Sequence, residues 1–427
     1  MFVRFRVINP PDGNGAVAAT GGAGEYASIA RLLGRPPVRA LAVASTVARQ
    51  PLAVGTIALV IFVHSCTGSF GTAGAVAGAY TFALAVAGPV LGRLVDRRGT
   101  RSVLVPAAAV SALATFAIVV AGETAAPVAV LVVAAVAAGA AMPPVSGVLR
   151  RTWPALVEPD DLPAAYLFDA VMIDAVFVGG QLLTGLLAVA IDPAAPLVFA
   201  GLAGLTGTVW FASRPEVAAV SPGTGHHHNR VGALASSTIR LLVLTGLPVG
   251  FTFGTLDVAL PAFGAEHGSS ALGGLYIAFV GVGSVMGALL YGLYPNGLGD
   301  LRQACVRLAV AQPLLSLPLL FVPSPLLLIA PAILAGSYAA PILTVRSRIA
   351  QIAMPPGTGT ETFTWLLLAV MVGASAGSLI AGPLVEATSW RLGIAAGVVI
   401  PAAALAPLIA RQDLLPRREP TPIGDPF

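Results

Sequence analysis

The sequence predicts an all-α integral membrane protein with twelve transmembrane helices in two pseudo-symmetric six-helix bundles, and with both termini in the cytoplasm. The chain has 427 residues, of which 56% are hydrophobic and only 10% are charged. Its mean hydropathy is +0.88. Apolar runs of about 20 residues recur along it, which is the length of a helix that crosses a bilayer. Because lipid offers no partners to backbone groups, we expect these runs to be helical.

The apolar runs place the twelve helices at 40–65, 70–92, 101–121, 126–149, 163–190, 194–212, 239–262, 271–294, 302–322, 325–346, 360–386 and 391–410. Arginines follow the even-numbered helices and precede the first, so they cluster on one side of the predicted topology. Arg391 is the clear exception. Because positive charge accumulates on the cytoplasmic side of membrane proteins, both termini are predicted to be cytoplasmic.

A long polar stretch divides the chain into two sets of six helices. We therefore expect a cytoplasmic N-terminal tail (1–38), an N-terminal bundle (39–212), a cytoplasmic linker (213–238), a C-terminal bundle (239–410) and a cytoplasmic C-terminal tail (411–427). Helices two and eight resemble each other faintly, with Gly74 and Gly274 at matching positions. This similarity agrees with an internally duplicated transporter fold.

Several function classes find no support in the sequence. It contains no phosphate-binding loop, nucleophile elbow or metal-ligand spacing, so we expect neither an enzyme nor a bound cofactor or metal. The His226–His228 run indicates a solvated loop, with weak metal binding as the alternative. The arginines form no continuous stripe, which argues against a nucleic-acid partner. Cys66 and Cys305 fall at opposite membrane faces, which argues against a disulfide between them.

The segment "PVLGRLVDRRGTRSVL" concentrates five charged residues between helices two and three. Arginines in such a turn anchor it at the anionic inner leaflet, but that role does not explain Asp96. The segment resembles the signature loop of the major facilitator superfamily. It meets that pattern at Gly92, Leu94, Asp96, Arg97, Gly99 and Arg101, and departs from it at Thr100, where a basic residue is usual.

The resemblance implies a role for the loop. In the superfamily the motif's aspartate meets the N-terminus of helix eleven in the outward-open state, where the helix dipole attracts a negative charge. Asp96 is thus expected to latch the two halves near 359–361, with Glu361 in the surrounding charge network. The alternative is a solvated loop aspartate.

The chain looks closest to the actinobacterial, drug-efflux-like members of the superfamily. This resemblance implies a monomeric secondary transporter of the plasma membrane that works by alternating access and exports a small amphiphilic or hydrophobic compound in exchange for protons. Two alternatives stay open. One is an uptake permease or symporter of the same fold, and the other is a non-transporting membrane sensor or assembly protein.

Four ionisable residues inside the spans are candidates for proton or substrate binding, because such residues are costly in a membrane and usually face the bundle interior. They are Arg49, Asp169, Asp174 and Asp257. Arg49 is interfacial instead if helix one begins near Pro51. Asp169 and Asp174 lie about 140° apart around their helix. Asp257, in a helix expected to line the central cavity, is either a proton carrier or a structural carboxylate.

Other polar and aromatic residues lie near the predicted helix ends. His64 indicates an interfacial polar residue, with a proton relay as the alternative. Trp153, Trp210 and Trp390 predict anchors at the membrane interface.

Overall fold

The computed structural model of the protein describes residues 31–158, 161–218, 232–294, 297–355 and 358–416. Within these ranges, twelve helices are long and apolar enough to cross a membrane, which confirms the predicted all-α class. Most of the two predicted tails, and the linker with its His226–His228 run, lie outside the described residues.

The twelve spanning helices of the described residues follow one another along the chain, and some of them are broken into two segments. The uninterrupted ones are α2 (Phe70–Arg98), α3 (Thr100–Glu123), α5 (Leu162–Ala190), α6 (Ala195–Ala212), α7 (Ser237–Glu266), α8 (Leu272–Leu293) and α11 (Gly359–Ala387). The interrupted ones are α1 (Pro36–Ala48, Gln50–Thr67), α4 (Val128–Ala140, Val145–Leu156), α9 (Leu301–Ser316, Leu317–Phe321), α10 (Pro325–Gly336, Ala339–Ala353) and α12 (Trp390–Ala403, Leu405–Ala410).

Prolines lie at several of these interruptions. Pro51 follows the break in α1, Pro143 and Pro144 lie in the break of α4, and Pro318 lies at the start of the tight final turns of α9. Proline has no backbone N–H and its ring crowds the preceding turn, so the regular ladder of helical hydrogen bonds ends there.

The predicted motif loop is largely helical, because α2 continues through Asp96 to Arg98 and α3 begins at Thr100. Gly99 alone separates the two helices, and its φ is +88°. Residues with a Cβ rarely adopt this left-handed backbone, so the turn requires glycine at this position. The chain therefore reverses direction between the end of α2 and the start of α3 within a single residue.

The bundle has two ends, which differ in the chain termini that they carry. The terminal face is the end where α1 begins and α12 ends, and the opposite face is the other end. The N-terminal half comprises α1–α6 and the C-terminal half comprises α7–α12.

The hydrophobic core divides along the membrane normal. Near the opposite face a single buried cluster includes residues from both halves, among them Phe62, Tyr80, Phe263 and Trp390. Near the terminal face each half has its own separate cluster, one around Trp153 and one around Tyr338 and its neighbours. The halves therefore share one core at the opposite face, whereas each half has its own core at the terminal face.

Candidate transport site and contacts between the halves

Two helix crossings join the halves near the opposite face. In the first, α2 meets α11, and a Cβ added at Gly74 would lie 3.1 Å from the Cα of Gly382. In the second, α8 meets α5, and a Cβ added at Gly274 would lie 2.5 Å from the backbone nitrogen of Gly185. Both crossings bring backbone against backbone, which only small residues permit.

The two crossings are equivalent under the internal repeat. Gly74 and Gly274 are 200 residues apart, and their respective partners Gly382 and Gly185 are 197 residues apart. The glycine match in the sequence thus corresponds to equivalent contacts in the two halves. The opposite-face contact has the pseudo-two-fold symmetry expected of two bundles that are parallel repeats, related by an axis along the membrane normal.

Polar contacts also join the halves on the same side. Glu386, in the last turn of α11, accepts hydrogen bonds from the Ser69 hydroxyl at 2.6 Å and from the Gly71 backbone N–H at 2.7 Å. Ser375 of α11 donates to the Gly78 carbonyl of α2 at 2.8 Å. Sequence reasoning missed Glu386. The available signal was an acidic residue in the last helical turn, where its own helix dipole disfavours it.

At the terminal face the signature-motif residues contact their own half. The Asp96 carboxylate pairs with Arg151 at the end of α4. Leu94 packs against the terminal-face core of the N-terminal half. Arg97 and Arg101 are exposed, and a Cβ added at Gly92 would meet open space.

The other predicted member of the latch lies in the C-terminal half. The exposed Glu361 accepts a 3.4 Å hydrogen bond from the Trp365 indole N–H on its own helix. Because Asp96 is paired with Arg151 in this conformation, the latch between Asp96 and the N-terminus of α11 stays a prediction for the alternative conformation, with Glu361 in the surrounding charge network.

Arg49, Asp169 and Arg150 form a charge cluster inside the N-terminal half. Arg49 Nη2 lies 2.8 Å from Asp169 Oδ1, and each side chain is 1% exposed. Arg150 Nε lies 3.1 Å from the other carboxylate oxygen and is 58% exposed. The interfacial alternative for Arg49 is therefore wrong, because α1 begins at Pro36 and buries this residue. The cluster ties α1, α4 and α5 together.

Asp174 occupies a different environment from Asp169, as their angular separation requires. The α5 residues Val178, Gln181 and Gly185 all contact α8 of the other half. Asp174 precedes Val178 by four residues and Gln181 by seven, so it lies on the same face of α5. It is exposed. Its carboxylate therefore lies along the boundary between the halves, one turn toward the terminal face from the α5–α8 contact.

Asp257 lies in the glycine-rich part of α7. It follows Gly250 by seven residues, which is about two turns, and Gly250 packs directly against the Val370 carbonyl of α11. Its side chain is partly exposed. Within the described residues, Asp257 makes no hydrogen bond or ion pair. It is thus an unpaired acid in the span that approaches α11.

Arg346, in α10, is a second buried cation that sequence reasoning did not select. It is 2% exposed, and its Nη2 donates to the Leu242 carbonyl of α7 at 2.9 Å. A Cβ added at Gly246 would collide with this guanidinium. Arg346 thus fills the space between α7 and α10 in the terminal-face part of the C-terminal half.

The predicted interface residues have mixed outcomes. Trp210 is 41% exposed, as an anchor requires, but Trp153 and Trp390 are fully buried, so the anchor prediction is wrong for both. The Trp390 indole N–H donates to Glu266 at 3.0 Å. His64 is partly buried at the opposite face, where its ring stacks on Phe70 with centroids 3.7 Å apart.

In the part of the chain that the structure describes, twelve spanning helices form two halves that are joined at one face and separate at the other, an architecture typical of secondary transporters. The sequence profile of the Major Facilitator Superfamily matches residues 40–311. The chain therefore belongs to the major facilitator superfamily. No curated protein sequence matches it.

Solved structures of transporters share the fold at low sequence identity. The nucleoside transporter NupG is 13% identical with a TM-score of 0.69, and the match covers 87% of this chain and 99% of NupG. An auto-inhibited peptide transporter of the POT family is 13% identical with a TM-score of 0.65, covering 92% and 99%. A bacterial homologue of the iron transporter ferroportin, in an inward-facing state, is 15% identical with a TM-score of 0.66, covering 88% and 98%.

Proposed function

We propose that this protein is a proton-coupled exporter of a small amphiphilic or hydrophobic compound, which works by alternating access in the plasma membrane. The observation that carries the proposal is the division of the core, which is shared between the halves at the opposite face and separate at the terminal face. If the arginine-rich terminal face is cytoplasmic, the conformation faces inward. The ferroportin homologue of the same fold is described in that state.

Asp257 is the carboxylate we assign to proton binding. It lies in α7 next to the α11 contact, and within the described residues no cation neutralises it. An unpaired carboxylate in a low-dielectric site exchanges its proton more readily than one held by an arginine. Asp169 is held by two arginines, so its geometry favours a structural role. Asp174, which is exposed along the boundary, is the second candidate for contact with a proton or substrate.

The latch between Asp96 and the start of α11 is supported by helix register. A Cβ added at Gly78 of α2 would lie 2.7 Å from Leu379 Cγ of α11, so these residues face each other. Asp96 lies 18 residues after Gly78, and Glu361 lies 18 residues before Leu379. Eighteen residues are five helical turns, or about 27 Å, so both acids keep the facing direction. Closure of the terminal face would bring Asp96 to the N-terminal turn of α11.

The test of proton coupling uses purified protein in liposomes with an imposed pH gradient. The probes are a fluorescent lipophilic cation and a neutral hydrophobic dye, and the variants are wild type and Asp257→Asn. We expect wild type to move at least one probe against its gradient and Asp257→Asn to lose the pH-driven component. Asp192→Asn is the matched control, because an asparagine keeps the hydrogen bond that Asp192 accepts from the Ala194 N–H.

The outcomes separate the candidate functions. Movement that follows the proton gradient in the same direction would replace export with uptake by symport. Undiminished proton coupling in Asp257→Asn would remove Asp257 from the proposed mechanism. An absence of movement across a broad set of probes, in protein shown to be folded, would favour a sensor or assembly role.

A further inference from the structure

Glu386 joins the two halves at the end of the α2–α11 pair that lies at the opposite face. Its carboxylate belongs to the C-terminal half, and both of its hydrogen-bond donors belong to the N-terminal half. One donor, Ser69, is the N-cap of α2, whose hydroxyl also accepts from the Thr72 N–H at 3.0 Å. The other donor is the backbone of Gly71, in the first turn of α2. The carboxylate thus occupies the N-terminus of a helix from the opposite half.

The electrostatics of this position depend on the conformation. Glu386 lies in the last turn of α11, where the partial negative charge of its own helix end disfavours a carboxylate. The N-terminus of α2 carries the complementary positive charge and unpaired N–H groups. Contact with the N-terminus of α2 therefore offsets the unfavourable interaction of Glu386 with its own helix end. When the halves separate at this face, that interaction is no longer offset.

Asp96 has the same relation to the same two helices at the other end. It lies in the last turn of α2, and the proposed latch places it at the N-terminus of α11. Each helix thus carries an acid near its C-terminus that fits the N-terminus of the other. Only one of the two contacts forms at a time, since the halves close at one face while they open at the other.

We infer that Glu386 is the opposite-face counterpart of Asp96, a residue that stabilises the inward-facing conformation by capping the N-terminus of α2. The counterpart relation rests on the proposed function, whereas the Glu386 contact itself is present in the structure. The close approach depends on Gly71, because a Cβ there would lie 2.5 Å from the Glu386 carboxylate oxygen. The two acids together set the balance between the two conformations.

The experiment measures that balance with a pair of nitroxide labels across the opposite face. The labels are attached to Ile191→Cys in the N-terminal half and Pro323→Cys in the C-terminal half, both exposed, in full-length Cys66→Ser protein in lipid nanodiscs. Pulsed electron resonance then gives the ratio of closed to open populations. We expect Glu386→Gln to lower this ratio about threefold, which corresponds to about 0.7 kcal/mol, because the contact is exposed to solvent.

Four further variants make the result specific. Gly71→Ala keeps the acid but displaces it from α2, so the closed population falls as it does in Glu386→Gln. Asp96→Asn shifts the balance in the reverse direction, and the double variant with Glu386→Gln returns it toward wild type. Glu123→Gln removes an exposed acid on the same face without a contact between the halves, and leaves the ratio unchanged.

The results that would overturn the inference are equally direct. An unchanged ratio in both Glu386→Gln and Gly71→Ala, with each protein eluting as wild type, would show that the contact does not stabilise the closed face. A shift in Glu386→Gln without one in Asp96→Asn would retain the role of Glu386 and reject the proposed latch at the terminal face.

Discussion

Replacing Asp169 by asparagine is expected to destabilise the protein by about 3–5 kcal/mol. Asp169 and Arg49 are 2.8 Å apart, and each side chain is only 1% exposed. Arg49 Nε and Nη1 are buried without hydrogen-bond partners, so the guanidinium depends on Asp169 for compensation of its charge. Asparagine would leave that charge buried and uncompensated.

Removal of both charges is expected to be much less damaging. In Arg49→Met combined with Asp169→Leu, no buried charge remains at this cluster, and Arg150 is exposed enough to stay hydrated. Buried ion pairs replaced by apolar side chains of similar size are often neutral in stability or more stable. Arg49→Met alone leaves Asp169 paired with Arg150 at 3.1 Å, so its effect is expected to lie between those of the other two variants.

The assay is the midpoint of heat-induced loss of monodisperse protein in detergent, measured by size-exclusion chromatography. The expected order of midpoints is Asp169→Asn lowest, Arg49→Met intermediate, and the double variant near wild type. A double variant as unstable as Asp169→Asn would refute the uncompensated-charge reasoning. Retained proton coupling of the double variant in liposomes would further assign the pair a structural role rather than proton transfer.

The remaining predictions concern the contact between the halves, the C-terminal half and the motif. Gly274→Val is expected to reduce transport more than tenfold by separating α8 from Gly185, whereas Gly88→Val, which faces open space, is expected to retain it. Gln312→Leu removes a buried hydrogen bond to Thr252 and a partly buried one to Pro248, both in α7, and should cost about 1–3 kcal/mol, seen as a lower thermal midpoint. Asp96→Asn should slow transport while leaving substrate affinity nearly intact, and lost binding at normal turnover would contradict the latch.

The helix count could be predicted because hydropathy measures how long a segment stays apolar. Hydropathy does not, however, predict where the helices end. It predicts helix two at 70–92, whereas α2 continues to Arg98. Charged residues outside the hydrocarbon remain helical when their backbone hydrogen bonds continue, but they no longer contribute hydropathy. The motif residue Asp96 is consequently on the last helical turn rather than in a loop.

The contacts of the site depended on information that spacing does not contain. Arg49 and Asp169 are 120 residues apart, so nothing in the local pattern around Arg49 shows that it is paired and buried. Trp153 and Trp390 lie at helix ends, where interface anchoring is common, yet tertiary packing buries both. Glu386 is a single acid without a motif, and its role becomes visible only when α2 is placed beside α11.

The packing of α7 on α11 determines which parts of the transporter move together. Gly250 and Gly254 of α7 pack against backbone carbonyls of α11, and Gly373 and Gly377 of α11 pack against carbonyls of α7. Contacts between backbones leave no side-chain rotamers that could absorb a displacement, so we expect α7 and α11 to move together as one rigid unit. Under the role proposed for Asp257, a displacement of α7 on proton binding would therefore move α11 as well, including Glu361 and Glu386 near its two ends.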